Sequence, residues 1–324
     1  MNRLRSFATL ASVIFTISIA TPVAGIAAEY PERAITAIVP FAAGSSNDIM
    51  ARRISPPLSK ALGQQIVIDN KPGADGRIGI EALAKAAADG YTILFSGGAV
   101  ALIPAVRKNV PWDPRQIQPV AELGQSAYVI AVNSTVPAKT LTELINLAKK
   151  YPGKLNASAG GNSTEMAISL FRIKTGTRME TIPYKGTGIA ATAVASGEVD
   201  FAIMDGSAWV SLIPSGRVRA LAVAGEKRLS TLPNVPTTRE AGLPDYVNGT
   251  MFGVYTKAGS PPAVVQRLNA EINRIIMSPD VSNGLKQVGL EPNPKSVDEF
   301  TRQYVNDLAK WKDLVTRAKI PMTD

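Results

Sequence analysis

The 324-residue sequence contains no histidine and no cysteine. Without histidine, the chain cannot form a Ser-His-Asp triad, a Cys-His pair or a conventional zinc site. Without cysteine, it has no disulfide and no lipoprotein attachment site, so the fold depends on its core alone. The sequence also lacks a G-x-S-x-G elbow, an S-x-x-K dyad and a Walker A loop. We therefore expect no enzymatic activity, no metal site and no cofactor.

Aromatic residues are scarce, at 6% of the chain, and the net charge is +9. An excess of lysine and arginine is compatible with nucleic-acid binding, but here the basic residues are spread along the chain without a dense cluster. A basic exported protein that attracts anions explains this composition better. We expect no nucleic-acid partner.

The N-terminus has the pattern of a secretory signal peptide. Arg3 and Arg5 precede an apolar stretch, Phe7–Ala20, and small residues end the segment at Ala28. A transmembrane anchor is the alternative, but the stretch is shorter than the roughly 20 apolar residues that span a bilayer. We predict that residues 1–28 form a cleavable signal peptide, cut after Ala28 or the residue before it, and that the mature chain is periplasmic.

Short apolar strands alternate with helical segments along the rest of the chain, which is typical of an α/β fold. The predicted strands are Ala34–Val39, Gln65–Asp69, Tyr91–Phe95, Tyr128–Val132, Leu155–Ala157, Glu180–Ile182, Asp200–Met204, Arg219–Val223 and Met251–Tyr255. Helices near residues 261–277, 280–288 and 296–317 follow the last strand. The length suits two domains, and because no flexible linker separates them, we expect crossing strands near Tyr128–Val132 and Met251–Tyr255 to join them.

Two turns rich in glycine and serine each follow a strand and precede a helix. The first turn is Ala42–Asp48 and the second is Ser158–Thr164. Such turns present backbone N–H groups at the positive end of a helix, where a carboxylate or phosphate binds. Alternatively, the glycines serve only to give the turns positive φ angles.

A third glycine turn, Gly186–Ala191, matches the dinucleotide-binding pattern G-x-G-x-x-A. The match is weak because the preceding strand contains Pro183 and because an exported protein rarely meets free nicotinamide cofactor. We favour a third helix N-terminus that faces the same cleft as the other two turns.

Eight short motifs occur in a fixed order along the mature chain. They are Pro31-Glu32-Arg33, Val39-Pro40-Phe41, Asn70-Lys71-Pro72-Gly73-Ala74, Asp89-Gly90-Tyr91-Thr92, Ile182-Pro183-Tyr184-Lys185-Gly186, Gly216-Arg217-Val218-Arg219-Ala220-Leu221-Ala222-Val223, Leu232-Pro233-Asn234-Val235-Pro236-Thr237 and Glu240-Ala241-Gly242. In this order and at these spacings, they resemble the signatures of the Bug (TctC-like) receptors. These are the periplasmic solute-binding proteins of tripartite tricarboxylate transporters.

The resemblance implies a type II periplasmic-binding-protein fold, in which two α/β domains joined by crossing strands surround a ligand cleft. We expect residues 29–130 and 251–324 to form domain 1 and residues 131–250 to form domain 2. The implied function is capture of a small carboxylate, such as a di- or tricarboxylate, an amino acid or an aromatic acid, and its delivery to permease subunits in the membrane. We expect a monomer. The alternatives are a receptor that feeds a sensor kinase and an exported enzyme that acts on a carboxylic acid.

The resemblance also points to site residues. In the family, the first loop usually reads Pro-Phe-Pro-Pro-Gly-Gly and receives one carboxylate, whereas here Pro40–Ser45 has alanine for two prolines and serine for the second glycine. The second turn takes the rest of the ligand, and Gly97, Gly98 and Asp205 are at positions that line the cleft. The candidate ligand-binding residues are Phe41, Ala42, Ala43, Gly44, Ser45, Ser46, Asn47, Gly97, Gly98, Ser158, Gly160, Gly161, Asn162, Ser163, Thr164, Gly186, Thr187 and Asp205.

Three side chains have structural alternatives to ligand binding. Asp48 is better explained as a first-turn carboxylate that improves the helix dipole than as a ligand contact. Asp205 either meets a donor group on the solute or caps the helix that contains Trp209. Phe41 either stacks on an aromatic solute or packs at the edge of its domain.

Overall fold

The structure is a computed structural model that describes residues 30–209, 211–317 and Met322. The predicted signal peptide lies outside the described residues. The strands are β1 (Ile35–Val39), β2 (Ile66–Asn70), β3 (Thr92–Ser96), β4 (Ile117–Asn133), β5 (Asn156–Ala159), β6 (Glu180–Pro183), β7 (Phe201–Asp205), β8 (Val218–Val223) and β9 (Gly249–Lys257). The α-helices are α1 (Ser46–Leu62), α2 (Arg77–Ala84), α3 (Ala99–Val106), α4 (Leu141–Lys150), α5 (Asn162–Thr175), α6 (Thr187–Ser196), α7 (Pro262–Ile276), α8 (Pro279–Gln287) and α9 (Val297–Arg317).

The strands hydrogen-bond in the order β2-β1-β3-β9-β4-β7-β5-β6, and β8 also pairs with β4. β1 is parallel to β2 and β3, and β5 is parallel to β6 and β7, whereas β9 is antiparallel to both of its neighbours. The 17-residue β4 therefore belongs to two groups of strands. Its pairing with β9 ends at Ala127, opposite Gly249, and its pairing with β7 begins at Tyr128, opposite Asp205.

Helices cover both faces of this sheet, as the apolar strands predict. In β1, Ala37 and Val39 pack in a core with α1 and α7, while Ile38 packs on the opposite face with α2, α3 and α9. In β4, Tyr128 and Ile130 face a core shared with α4 and α5, whereas Val129 and Ala131 face α6. The period of two in a strand thus divides one apolar run between two cores.

All nine predicted strands overlap observed strands, and the last three predicted helices correspond to α7, α8 and α9. The main difference is β4, which begins at Ile117 rather than near Tyr128. Its pairing with β9 shifts register between Pro119 and Ala121 and between Glu122 and Gly124, so this part of the strand lacks the regular apolar pattern of the others. In the described part of the chain, no helix combines the length and the apolar character that crossing a bilayer requires.

Candidate ligand-binding site

The first turn connects β1 to the N-terminus of α1 and is closed by its own side chains. The Ser45 hydroxyl caps α1 by accepting a hydrogen bond from the Asp48 N–H at 3.3 Å. The Gly44 N–H donates to Asp48 Oδ2 at 2.9 Å, and Gly44 has a φ of +81°. The Gly44 N–H group therefore already has an acceptor. The N–H groups of Ser46 and Asn47, in the first turn of α1, have no intrahelical acceptor.

Asp48 is a buried anchor for this turn, with a side chain that is 2% exposed. Its carboxylate accepts from Arg52 Nε at 2.8 Å and from Asn70 Nδ2 at 3.0 Å, and Asn70 also donates to the Phe41 carbonyl at 3.1 Å. Burial alone raises the pKa of Asp48, but the Arg52, Gly44 and Asn70 donors lower it below its usual value. Asp48 thus has the predicted structural role at the start of the helix.

Phe41 packs against the segment that precedes α2. A Cβ added at Gly76 would lie 3.1 Å from the end of the Phe41 ring, and Gly76 itself has a φ of +99°. This contact supports the packing alternative for Phe41.

In the second turn, as in the first, a glycine N–H donates to the side chain four residues later. The acceptor here is a hydroxyl rather than a carboxylate. The Gly160 N–H donates to Thr164 Oγ1 at 2.8 Å, and that hydroxyl donates to the Gly161 carbonyl at 2.8 Å. The Ser158 hydroxyl is buried and donates to the Ala190 carbonyl of α6 at 2.8 Å. Ser158 and Thr164 therefore hold this turn in shape, and the first N–H groups of α5, at Asn162 and Ser163, remain as donors.

The second and third turns are in direct contact. A Cβ on Gly160 would lie 2.5 Å from both N and Cα of Thr187 and 2.7 Å from the carbonyl carbon of Gly186. Gly186 has a φ of +117° at the start of α6, and Gly161 has a φ of +140° at the start of α5. The positive-φ explanation therefore applies to Gly44, Gly161 and Gly186, whereas Gly160 is needed for close approach.

Two polar contacts join the segments that carry these turns to the opposite half of the chain. Ser46 Oγ lies 3.2 Å from Ser207 Oγ, and Asn162 Nδ2 donates to Asp75 Oδ2 at 3.2 Å. Asp75 also accepts from Arg107 at 2.9 Å and has a φ of +56°, a conformation that is strained for a residue other than glycine. We call residues 41–48, 158–164, 186–187 and 205–207 the loop cluster.

Asp205 is the last residue of β7 and is 7% exposed. Burial raises its pKa, while the Ser207 hydroxyl and the N–H groups of Ser207 and Ala208 partly offset that rise by donating to the carboxylate. Asp205 therefore caps the 3-10 turn Gly206–Trp209, as one of its two alternatives predicts. Direct contact between Asp205 and a solute stays a prediction.

Tyr128 connects Asp205 to the second turn. Its hydroxyl lies 2.8 Å from Thr250 Oγ1, across the two crossing strands. Burial raises the pKa of Tyr128, the Thr250 and Ser163 hydroxyls lower it, and the nearby Asp205 charge raises it. The first turn of α5 and the end of β7 thus both lie next to Tyr128.

The two glycines after β3 lie towards the crossing strands. A Cβ on Gly97 would be 2.8 Å from Thr250 Cγ2, whereas a Cβ on Gly98 would meet open space. Gly98 lines a cavity of about 750 Å³ together with Gln125–Ala127, Ala224–Ser230 and Val247–Met251. Contact between Gly98 and a solute stays a prediction.

The loop cluster is rich in hydrogen-bond donors. Among the described residues, no group of three or more acidic side chains is arranged to hold a metal ion. The N-termini of α1, α5 and α6 supply N–H groups, and Ser46, Ser163 and Thr187 add hydroxyls. N–H groups at helix N-termini are typical partners for an anion.

Sequence reasoning missed Asp75, Arg107 and Ser207. Asp75 directly follows the Asn70–Ala74 motif and Ser207 lies two residues after Asp205. Their partners, however, lie far away in the sequence, at Asn162 and Ser46. No local signal indicates these pairs.

The chain is similar to a well-defined set of proteins. Residues 50–320 match the model of the tripartite tricarboxylate transporter family receptor. The protein BugT of Bordetella pertussis is 35% identical, over 99% of this chain and 100% of BugT. A protein of R. palustris solved with adipate has a TM-score of 0.83 at 30% identity, over 90% of this chain and 99% of that one. MatC of Rhodopseudomonas palustris with bound malate has a TM-score of 0.77 at 30% identity, over 88% of this chain and 100% of that one.

Proposed function

Because the chain belongs to the tripartite tricarboxylate transporter receptor family, whose members are periplasmic solute-binding proteins and not enzymes, we propose that its loop cluster captures a small carboxylate for delivery to a membrane permease. The observation that carries the proposal is the meeting of three helix N-termini. Ser46 of α1 contacts Ser207, and Ser163 of α5 hydrogen-bonds to Tyr128. Thr187 of α6 packs against Gly160 of the second turn. Their first-turn N–H groups suit the oxygens of a carboxylate.

The relatives support a carboxylate as the solute. One structural neighbour holds adipate and another holds malate, and both are dicarboxylates. A charge-assisted hydrogen bond contributes about 1.5–3 kcal/mol, so about four to six of them offset the cost of association and give roughly micromolar affinity. No arginine in contact with the ligand is needed for this affinity.

We further propose that residues 29–130 with 251–324 and residues 131–250 move as two domains about the crossing strands. β4 exchanges β9 for β7 and β8 between Ala127 and Tyr128, which is a natural hinge point. The Ser46–Ser207 and Asn162–Asp75 contacts link the two proposed domains and support a closed state. Small-angle scattering with saturating ligand should give a smaller radius of gyration than without ligand. An unchanged radius would contradict the closing motion.

The proposed location is the periplasm after removal of residues 1–28, where the receptor acts as a monomer. Purification of the exported chain followed by N-terminal sequencing and light scattering tests both points. An N-terminus that retains Arg3, or the mass of a dimer, would contradict them.

Titration calorimetry on the mature chain tests the binding proposal. We expect one site per chain for at least one member of a panel of succinate, adipate, L-malate, citrate, L-aspartate and benzoate, with no chemical change in the recovered solute. Failure of the whole panel would overturn the proposal. Uptake of the bound acid by vesicles that contain the permease subunits, compared with vesicles without the receptor, tests delivery.

A further inference from the structure

Ser207 lies between two partners that fix the direction of its hydrogen bonds. Its hydroxyl donates to Asp205 Oδ1, and its oxygen lies 3.2 Å from Ser46 Oγ. A serine hydroxyl has one proton and two lone pairs, whereas an ionised carboxylate only accepts hydrogen bonds. Since the single proton of Ser207 is directed at Asp205, its oxygen presents only lone pairs to Ser46 and to the space beside it.

The Asp205 carboxylate is well suited to accept the hydrogen bond from the Ser207 hydroxyl. Besides the Ser207 hydroxyl, the N–H groups of Ser207 and Ala208 donate to it. Burial raises the pKa of Asp205, which is 7% exposed, and these donors oppose that rise by stabilising the ionised carboxylate. Asp205 therefore fixes the orientation of the Ser207 hydroxyl.

The contact between Ser46 and Ser207 is loose. Hydroxyl pairs usually lie about 2.7–2.8 Å apart, and this pair is separated by 3.2 Å. Ser46 must donate in this pair, and a stronger donor from a solute can take its place on Ser207. The same Ser46 carries one of the first-turn N–H groups of α1, so a carboxylate bound there lies within a few ångströms of the Ser207 oxygen.

We propose that Ser207 is a specificity residue that accepts a hydrogen bond from a hydroxyl or ammonium group on the carbon next to the bound carboxylate. The loop cluster then selects 2-hydroxy and 2-amino acids over unsubstituted acids of the same length. An unsubstituted acid leaves the Ser207 lone pairs without a donor from the solute, and a second carboxylate oxygen at that point would face them with lone pairs of its own. This inference rests on the proposed capture of a carboxylate and names the chemical class of the solute.

Matched pairs of acids test the inference by calorimetry. Succinate is compared with L-malate and L-aspartate, and adipate with 2-hydroxyadipate, so that each pair has the same chain length. In the wild-type protein, we expect at least one substituted acid to bind about tenfold more tightly than its unsubstituted partner, the effect of one hydrogen bond. In Ser207→Ala, the ratio should fall to about one through weaker binding of the substituted acid. Ser215→Ala, on an exposed loop, is the control and should keep the wild-type ratio.

Two Asp205 variants separate positioning from simple support of the fold. Asp205→Asn keeps a side-chain oxygen that accepts the Ser207 proton, and asparagine caps about as well as aspartate, so the preference should be retained. Asp205→Ala removes the acceptor of the Ser207 proton, so the Ser207 hydroxyl can donate to the solute instead. The preference for substituted acids should then be lost or reversed. The calorimetric stoichiometry gives the fraction of this variant that is folded and able to bind.

The outcomes distinguish this inference from the function on which it rests. If acids bind but no pair differs in the wild-type protein, or if the preference survives in Ser207→Ala, Ser207 is not the specificity residue and only the inference fails. If no acid in either set binds, the proposed function fails as well.

Discussion

Gly160 lies so close to the backbone of Thr187 that a Cβ on Gly160 would be 2.5 Å from the Thr187 nitrogen. Backbone atoms cannot move aside as the end of a flexible side chain can. The contact holds the N-termini of α5 and α6 side by side. It explains why position 160 is glycine although its φ angle does not require one.

We expect Gly160→Ala to reduce both stability and binding. Overpacking of this kind typically costs about 1–3 kcal/mol of unfolding free energy, and separation of the two turns would also misplace the donors of α5 and α6. Gly188→Ala is the matched control, because a Cβ there meets open space inside a helix and alanine favours the helix by up to about 1 kcal/mol. Urea unfolding and calorimetry on both variants check this. Normal stability of Gly160→Ala would contradict the close contact.

Asp48 should make the protein sensitive to acid. Its pKa is lowered in the folded state, so the folded protein binds the proton less readily than the unfolded chain does. The stabilisation is complete above the unfolded pKa of about 4 and is lost as the pH falls through the folded pKa. Asp48→Asn should therefore show a smaller loss of unfolding free energy below pH 4 than the wild type. Asp245→Asn, at an exposed aspartate, should follow the wild-type curve, and parallel curves for the wild type and Asp48→Asn would refute this role.

The contact between Asn162 and Asp75 should stabilise the ligand-bound state more than the fold. Asn162→Ala removes one hydrogen bond at 3.2 Å, so we expect affinity for the best carboxylate of the panel to fall by about three- to tenfold with little change in Tm. Asn234→Ala, at an exposed loop position, provides the control. Unchanged affinity in Asn162→Ala would show that closure does not use this contact.

A buried ion pair on β4 offers a test of the fold away from the loop cluster. Glu122 is fully buried. Its Oε2 lies 2.7 Å from Lys295 Nζ in an ion pair, and its Oε1 accepts a hydrogen bond from Asn293 Nδ2 at 2.8 Å. Lys295→Met should reduce the unfolding free energy by about 3–5 kcal/mol, since it removes the cation that neutralises the buried Glu122 carboxylate and leaves Asn293 as a neutral donor. The double variant Glu122→Gln, Lys295→Met should recover much of that loss in urea unfolding. A double variant as unstable as the single one would contradict coupling between the two side chains.

The sequence predicts the strands well because β1, β3, β7 and β8 are short apolar runs flanked by turn residues. It does not predict the start of β4, where Gln118, Pro119, Glu122 and Gly124 interrupt the pattern and the register shifts. The turns themselves are recognisable from their glycines and serines. Which of their donors are free is not recognisable, because the Gly44 and Gly160 N–H groups are taken by side chains four residues later.

Most of the other features that the sequence does not predict are contacts between distant segments. Ser46 and Ser207 are 161 positions apart, and Asp75 and Asn162 are 87 apart. Each of these residues has an ordinary local explanation as a helix-start or turn residue. Only the packing of the strands brings the pairs together, so a single sequence contains no periodicity or motif that joins them.

The position of β9 affects the order in which a newly made chain can fold. β9 lies between β3 and β4 in the sheet, yet it is synthesised more than a hundred residues after both of them. Until Gly249–Lys257 emerges, β3 and the first part of β4 have no common neighbour, and the N-terminal strands cannot be completed by local pairing. The nascent chain therefore keeps the β9-facing edge of β3 unpaired from the synthesis of β3 until β9 emerges, and such an exposed edge is open to pairing with other chains.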